Sequence, residues 1–434
     1  MAYAAYEHYK QSGIKTIGLM PQHWSIRRLK FMARIQNGKD YKGVVSHEGY
    51  PVIGSGGEFA KANTYLYNGE SVLLGRKGTI DRPLYINGPF WTVDTMFYTE
   101  ISDDVSAKYL YYCSLTINFL KYATSTALPS MTQQDLGTIP FAVPEYDEQQ
   151  TIASFLNFKT AQIDALISKQ KDLLDKLAEK RTALISHAVS KGLDLSVPMK
   201  DSGVDWLGEI PKHWTMTRLR FVTTCIEQGW SPQCNNQPAS EEQWGVLKVG
   251  CVNSESFDEN ENKSLPDNLE PRLQYEVKSG DILVSRANTK ALLGSAALIN
   301  QVRPRLLLCD KLYRIKTNSL VEAGYLVRFM RSTIARFHYE KNSTGTSGSM
   351  QNIGQDTLKD LPIPLPPKDE QVAILKYLES KSTTIKLSEE KIASVIAKLI
   401  EYRASLITNA VTGKIDVRDF SIPEQRELQQ TEYA

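Results

Sequence analysis

The sequence predicts an α+β chain: two similar mixed α/β globular halves separated by two long helices that form an antiparallel coiled coil, pseudo-twofold and circular. Three observations predict it. Residues 12–31 (SGIKTIGLMPQHWSIRRLKF) return as residues 202–221 (SGVDWLGEIPKHWTMTRLRF), identical at nine of twenty positions. IPFAVPEYDEQQ (139–150) returns as LPIPLPPKDEQV (361–372). Each copy of this second motif opens a helical stretch, and the two stretches share an apolar seam. A solenoid repeats every 20–50 residues or so, whereas this repeat is a duplicated half-molecule of roughly 200 residues.

The first globular half covers residues 1–146 and the second 202–368, with helical regions at 147–201 and 369–412 and a tail at 413–434. Within the first half, Ser71–Leu74 and Thr92–Tyr98 read as strands, broken by Gly-, Asn- and Pro-rich turns such as IGSGGEF and INGPF. The second half follows the same plan: GDILVSR (280–286) answers GESVLLGR (69–76), and DKLYRI (310–315) answers DTMFYT (94–99). The connections differ in length, so the scaffold is shared and the loops have diverged.

The proline-rich segments holding Pro140 and Pro144, and Pro362, Pro364, Pro366 and Pro367, read as hinges, because proline cannot occupy a helix interior. Asp147 and Glu148, and Asp369 and Glu370, then suit the first turn of a helix, where acidic groups complement the dipole. Helix breaks are expected near 157–159 and 380–382. Beyond them, Ile163, Ile167, Gln170, Leu174, Leu177, Arg181, Leu184 and Ala188 recur with 3-4 spacing. The matching positions are Ile385, Glu389, Ile392, Ile396, Leu399, Arg403, Leu406 and Ala410. Four matched heptads predict that the two helices pack on each other. A helix of about 30 residues would then be a rigid spacer of about 45 Å. Arg181 and Arg403 fall on the seam, where either their stems pack and their heads reach water, or they fix register or meet a carboxylate of a partner. After the helices, KGLDLS (191–196) is answered by TGKIDV (412–417), so the tail is expected to meet the N-terminus.

The 434 residues carry 41% hydrophobic and 23% charged residues, values of a globular chain with a sizeable core. The net charge of +2 gives no global argument for nucleic acid, so any such argument is local. Five cysteines without a CxxC pair point to reduced thiols. No signal peptide or membrane span is expected, which suggests a cytoplasmic protein. No phosphate loop, dinucleotide fingerprint, HExxH or GxSxG motif occurs, and no Asn-Pro-Pro-Tyr or Asp-Pro-Pro-Tyr. His23 and His213, inside the duplicated heads, suit packing beside Trp24 and Trp214 better than catalysis.

Each half places a basic loop directly after a strand: Arg76 and Lys77, then Arg82, in the first; Arg286, Asn288 and Lys290 in the second. Arginine reads guanine and asparagine reads adenine through paired hydrogen bonds, while lysine serves phosphates. Polar loops TSTALPSMTQQ and NSTGTSGSMQN, with Ser130 and Ser349, can approach a DNA backbone closely. GSGGEFAK (54–61) is a third candidate, and Lys248 belongs to its looser counterpart. Any one of these could be an ordinary polar surface loop; three pairs at matched landmarks strengthen a DNA-facing reading.

The PxHW head, the GDILVSR-like strand, the Ser-Met loop and the IPxPxPxxDEQ motif opening a long helix, each present twice, resemble the specificity subunit of a type I DNA restriction–modification system. The resemblance covers nearly the whole chain. It implies that each globular half is a target recognition domain reading half of a split double-stranded DNA site. It implies that the helices separate the halves and dock two methyltransferase (modification) subunits, which restriction subunits join. The chain would then be non-catalytic and bind no cofactor; S-adenosylmethionine, ATP and Mg2+ would belong to the partners. Gly75 stands before Arg76 where Ser285 stands before Arg286, a departure that bears on the strand-end arginine of the first half. The competing readings are a coiled-coil scaffold for proteins alone and a fused DNA-modifying enzyme with degenerate motifs.

Overall fold

The computed structural model describes residues 3–123, 129–345 and 350–422. The chain forms two compact units: one draws on the chain up to Lys171 and again from Ile392 onward, the other is Asp172–Lys391. Each unit therefore combines one globular half with the start of one long helix and the end of the other.

In the first unit a four-stranded antiparallel sheet has the order Leu84–Ile86, Ser71–Gly75, Met96–Ile101, Ala33–Asn37. The run SVLLG is buried at all five positions, as a central strand requires. Ser71 and Thr99 lengthen its pairing through their side chains: Ser71 Oγ donates to Thr99 O at 2.8 Å, and Val72 N donates to Thr99 Oγ1 at 2.8 Å. The second unit repeats this sheet with Ala296–Leu298, Ile282–Ser285, Leu312–Thr317 and Thr223–Gln228. Beside it in the first unit lies a five-stranded sheet, in which Pro89–Thr92 runs parallel to Tyr50–Gly54. Leu306–Leu307 runs parallel to Gly245–Leu247 in the three-stranded counterpart.

The strand expected over 92–98 is two strands. Pro89–Thr92 belongs to one sheet and Met96–Ile101 to the other, and the chain crosses between them in a turn at Val93–Thr95. An apolar run cannot show a change of sheet, because both pieces are buried.

The proline-rich hinges are strands. Pro140–Val143 pairs antiparallel with the head strand Ser25–Arg28, and Pro362–Leu365 pairs with Thr215–Arg218. Proline is tolerated because each ribbon has only two strands, leaving an edge on which its missing N–H is not required. The two most similar stretches of sequence are thus hydrogen-bonded partners in each unit.

The expected helix breaks are also absent. Tyr146–Lys191 and Lys368–Val411 are continuous helices of 46 and 44 residues. Their Thr residues bond back to the preceding turn instead of capping a break: Thr160 Oγ1 donates to Leu156 O at 2.7 Å, and Thr384 Oγ1 to Ser380 O at 3.0 Å. Both helices stop at a left-handed glycine, Gly192 (φ 77°) and Gly413 (φ 70°). A Cβ on Gly413 would lie 2.2 Å from the Pro21 ring, so the stop is also a packing requirement.

In the first unit Trp24, Leu29, Tyr109, Ile152, Leu156 and Ala410 share one buried core, in which Ile163 and Leu406 also sit. In the second, Trp214, Leu219, Tyr325, Ile374 and Ala188 do the same. Tyr109 donates to Ala142 O at 2.6 Å, and Tyr325 donates to Pro364 O at 2.7 Å and Val189 O at 2.9 Å. Each tyrosine is fully covered, and burial holds its phenol well above the ordinary value. The tail returns to the start of the chain: Asp416 N donates to Ala4 O at 2.8 Å, and Phe420 packs edge-on against Phe155 with centroids 5.2 Å apart.

Every seam position is buried or half-buried. Ile163, Ile385, Ile392 and Leu406 are buried; Leu174, Leu177, Leu184, Ile396 and Leu399 are half-covered. Arg403 Nε lies 2.9 Å from Asp164 Oδ1 of the same chain. Arg181 Nε lies 3.5 Å from Glu255 Oε1 but forms no hydrogen bond there, while Arg328 Nη1 donates to Glu255 Oε2 at 3.1 Å.

Candidate nucleic-acid interface

The strand-end arginines are built alike in the two units. Arg76 follows Ser71–Gly75, and Arg286 follows Ile282–Ser285. Arg76 Nη1 donates to Asp94 O at 3.2 Å, and Arg286 Nη1 donates to Asp310 O at 3.4 Å. The Arg76 carbonyl accepts from Met131 N, and the Arg286 carbonyl from Ile353 N, each at 2.9 Å. Each guanidinium neighbours an equivalent aromatic ring: Arg76 lies 5.9 Å from the Phe97 centroid, and Arg286 lies close enough to the Tyr313 phenol to act on its pKa. Burial raises the Tyr313 pKa, against the opposing effect of that arginine.

The change from Ser285 to Gly75 does not disturb this equivalence. A Cβ on Gly75 would lie 2.5 Å from Ile80 Cα and 2.6 Å from Thr79 O, because the Arg76–Ile80 loop folds tightly back on its strand. In the second unit Ser285 Oγ donates to Leu292 O at 2.8 Å across a wider loop. Glycine is the cost of a tight loop, and the arginine keeps its place.

The structure joins two of the loops that sequence treated separately. Lys77 pairs with Ser130, and Gly78 N donates to Pro129 O at 2.9 Å. In the second unit Ala287–Asn288 pairs with Gln351–Asn352. Ser349 lies outside the described residues. The basic loop is therefore joined to residues 129–131 in the first unit and to Gln351–Asn352 in the second.

The remaining candidates separate by exposure. Arg76, Lys77 and Arg82 are exposed. Lys290 is exposed, with Nζ 3.5 Å from Glu340 Oε2. Lys248 is half-covered and lies 3.6 Å from Glu261 Oε2. Asn288, a candidate for base or phosphate contact, is the most covered of them. It is 8% exposed, its Nδ2 donates to Asn253 Oδ1 at 3.0 Å, and its Oδ1 accepts from Thr289 N at 2.9 Å. Both ends of its amide are thus engaged within the chain.

Sequence reasoning missed the residues opposite these arginines. Lys39 N donates to Thr92 O at 3.0 Å, and Trp230 N donates to Leu308 O at 2.9 Å, so Lys39 and Trp230 occupy equivalent places two residues ahead of Asp94 and Asp310 in the pairing. The Arg272 guanidinium lies over Trp230, 4.5 Å from its centroid. In the first unit Gly54–Phe59, Tyr41 and Val93–Thr95 line a groove of about 490 Å³ that shares Asp94 with Arg76. The duplicated Asp in DTMFYT and DKLYRI was the available signal.

The head motifs contact the opening turns of the long helices. His23 Nε2 lies 2.8 Å from Glu148 Oε2, and Trp24 Nε1 donates to Glu148 Oε1 at 3.1 Å. His213 and Trp214 repeat both contacts with Glu370, at 2.8 and 3.0 Å. The next residue is duplicated too: Gln149 Oε1 accepts from Ser106 N at 2.9 Å, and Gln371 Oε1 from Glu322 N at 2.7 Å. No group of three or more His, Cys, Asp or Glu side chains among the described residues is arranged to hold a metal. No helix among them is long and apolar enough to cross a membrane.

Comparison with known proteins agrees with this duplicated geometry. The family model described as the type I restriction modification DNA specificity domain matches residues 21–176 and again 226–397. The type I restriction enzyme EcoEI specificity subunit of Escherichia coli is 32% identical over 48% of this chain and 35% of its own length. The EcoKI specificity subunit of Escherichia coli (strain K12) is 24% identical over 65% of this chain and 58% of its own length. The chain thus spans between about a third and three fifths of these two relatives. The MjaVIII specificity subunit of Methanocaldococcus jannaschii is 25% identical over 96% of this chain and 99% of that one. A solved chain from a study of complex assembly and conformational transition in a type I restriction–modification system shares the fold, with TM-score 0.68 at 14% identity, covering 91% of this chain and 99% of that chain. With both copies of the specificity domain matched and the same fold in a solved relative, the chain belongs to the type I restriction–modification DNA specificity family and carries two repeated recognition domains.

Proposed function

We propose that this chain reads a bipartite, asymmetric double-stranded DNA target, one half-site per globular half, and performs no chemistry itself. The observation that carries the reading is the strand-end arginine. Arg76 and Arg286 are held by the same backbone contacts in both units, on loops whose sequences differ. A constant anchor with variable surroundings suits two readers of two different sequences, and an arginine presented this way can bond guanine O6 and N7. Arg82 and Lys77 add positive charge for phosphates in the first half, and Lys290 and Lys248 in the second.

The long helices are proposed to dock two methyltransferase subunits and to set the spacer between half-sites, with restriction subunits joining that core in the cytoplasm. S-adenosylmethionine, ATP and Mg2+ are assigned to those partners. The test is exchange of residues 12–146 for the corresponding segment of a relative, followed by methylome sequencing of cells expressing the complete system. One half of the methylated target is expected to change and the other to persist. A change in both halves, or in neither, overturns the reading.

A further inference from the structure

Asp94 and Asp310 occupy the same place in the two units, each offering its carbonyl to a strand-end arginine, yet their carboxylates differ. The Asp310 carboxylate accepts from the Ser231 hydroxyl, and Ser231 Oγ in turn accepts from Asp310 N at 3.1 Å. In the first unit Asp40 stands where Ser231 stands, since Lys39 and Trp230 are equivalent. A carboxylate cannot donate to a carboxylate. Asp94 is accordingly exposed, and its side chain makes no hydrogen bond or ion pair with another described residue.

Asp94 also lines the groove of about 490 Å³ in the first unit, facing the glycine-rich hairpin tip and an aromatic pair. Tyr41 and Phe59 meet edge to face at 5.1 Å, with Phe59 55% exposed. The Arg76 guanidinium is anchored on the same turn. The groove therefore presents an acceptor, a neighbouring donor and an apolar wall.

From this geometry, and resting on the DNA-reading function proposed above, we infer that Asp94 is a specificity residue of the first half, accepting a hydrogen bond from the exocyclic amino group of a cytosine or adenine next to the base pair contacted by Arg76. An uncompensated carboxylate on a DNA face repels phosphates and lowers affinity for every sequence. That cost is offset only where a base supplies a donor, and in the major groove the donors are cytosine N4 and adenine N6. Phe59 and Tyr41 would shield the contact from water. The second half lacks this reader because Ser231 already occupies the Asp310 carboxylate.

The test uses the chain assembled with its methyltransferase subunits and a randomised duplex library, comparing wild type with Asp94→Ala, Asp94→Asn and Arg76→Ala. Asp94→Ala is expected to weaken preference for an amine-bearing base at one position of one half-site by about tenfold, while binding to unselected DNA tightens. Asp94→Asn, which keeps an acceptor oxygen and loses the charge, should fall between. Duplexes carrying 2-pyrimidinone for cytosine, or purine for adenine, at that position identify which amine is read. If Arg76→Ala relaxes a position and neither Asp94 variant does, the Asp94 assignment is wrong and the DNA-reading function stands. If no variant alters any preference, this face does not read DNA and both are wrong.

Discussion

His23 Nε2 lies 2.8 Å from Glu148 Oε2, joining the head of the first half to the opening turn of a helix 125 residues later. The same carboxylate accepts from Tyr6 OH at 2.8 Å and Trp24 Nε1 at 3.1 Å. Among the described residues Glu370 bonds His213 and Trp214 alone, and its side chain is 26% exposed against 10% for Glu148.

Replacing Glu148 by alanine strands two donors in a covered site, at a cost of about 2–3 kcal/mol. Glu370→Ala should cost less, because water reaches the groups it leaves. Chemical denaturation of each variant checks the order; equal losses would show that the additional Tyr6 bond contributes nothing.

On the helical seam, packing should outweigh charge. Leu406 is 3% exposed, and Leu406→Ala is expected to cost about 2–5 kcal/mol through the cavity it opens. The Arg403–Asp164 pair is partly solvated, at 28% and 53% exposure, so Asp164→Ala should cost no more than about 1 kcal/mol. Thermal melts at low and high salt separate the two effects, since only the ion pair is screened.

At the DNA face, Arg286→Ala should relax one base position of one half-site and cost about 1–3 kcal/mol in binding by the assembled complex. Lys77→Ala should weaken all sequences alike and reduce the slope of log affinity against log salt by about 1. Titrations at several salt concentrations distinguish them. A uniform loss for Arg286→Ala would make it a phosphate contact.

His338 confers a pH dependence. Burial lowers its pKa below the ordinary 6.5, only partly opposed by its hydrogen bond to Thr357 O. Below that pH the unfolded chain takes up a proton that the folded chain resists. The contribution of His338 is therefore fully present above pH 6.5 and is lost as pH falls through the depressed folded value. His338→Gln should flatten the pH dependence of stability in that window, measured by denaturant titration; an unchanged profile would assign the dependence to other groups.

Much of the plan was legible in one dimension. The heads and the proline motifs repeat in sequence because each meets the same partner in its own unit: Trp24 with Glu148 and Trp214 with Glu370, Pro140–Val143 with Ser25–Arg28 and Pro362–Leu365 with Thr215–Arg218. The candidate interface was legible only in part. Arg76 and Arg286 were visible as basic residues after apolar strands, whereas Asn288 had the right chemistry in a loop that buries it.

The sequence by itself determined the duplication, the apolar strands and the positions of the long helices, because periodicity and repetition are local properties of the chain. The tertiary structure decided where the proline segments pair, that Thr160 and Thr384 bond within unbroken helices, and that the run 92–98 changes sheet at Asp94. It also decided which of two equivalent carboxylates stays open. That depends on Asp40 or Ser231 arriving from the loop after a distant strand, and hydrogen bonds between segments far apart in the chain leave no spacing for a sequence to display.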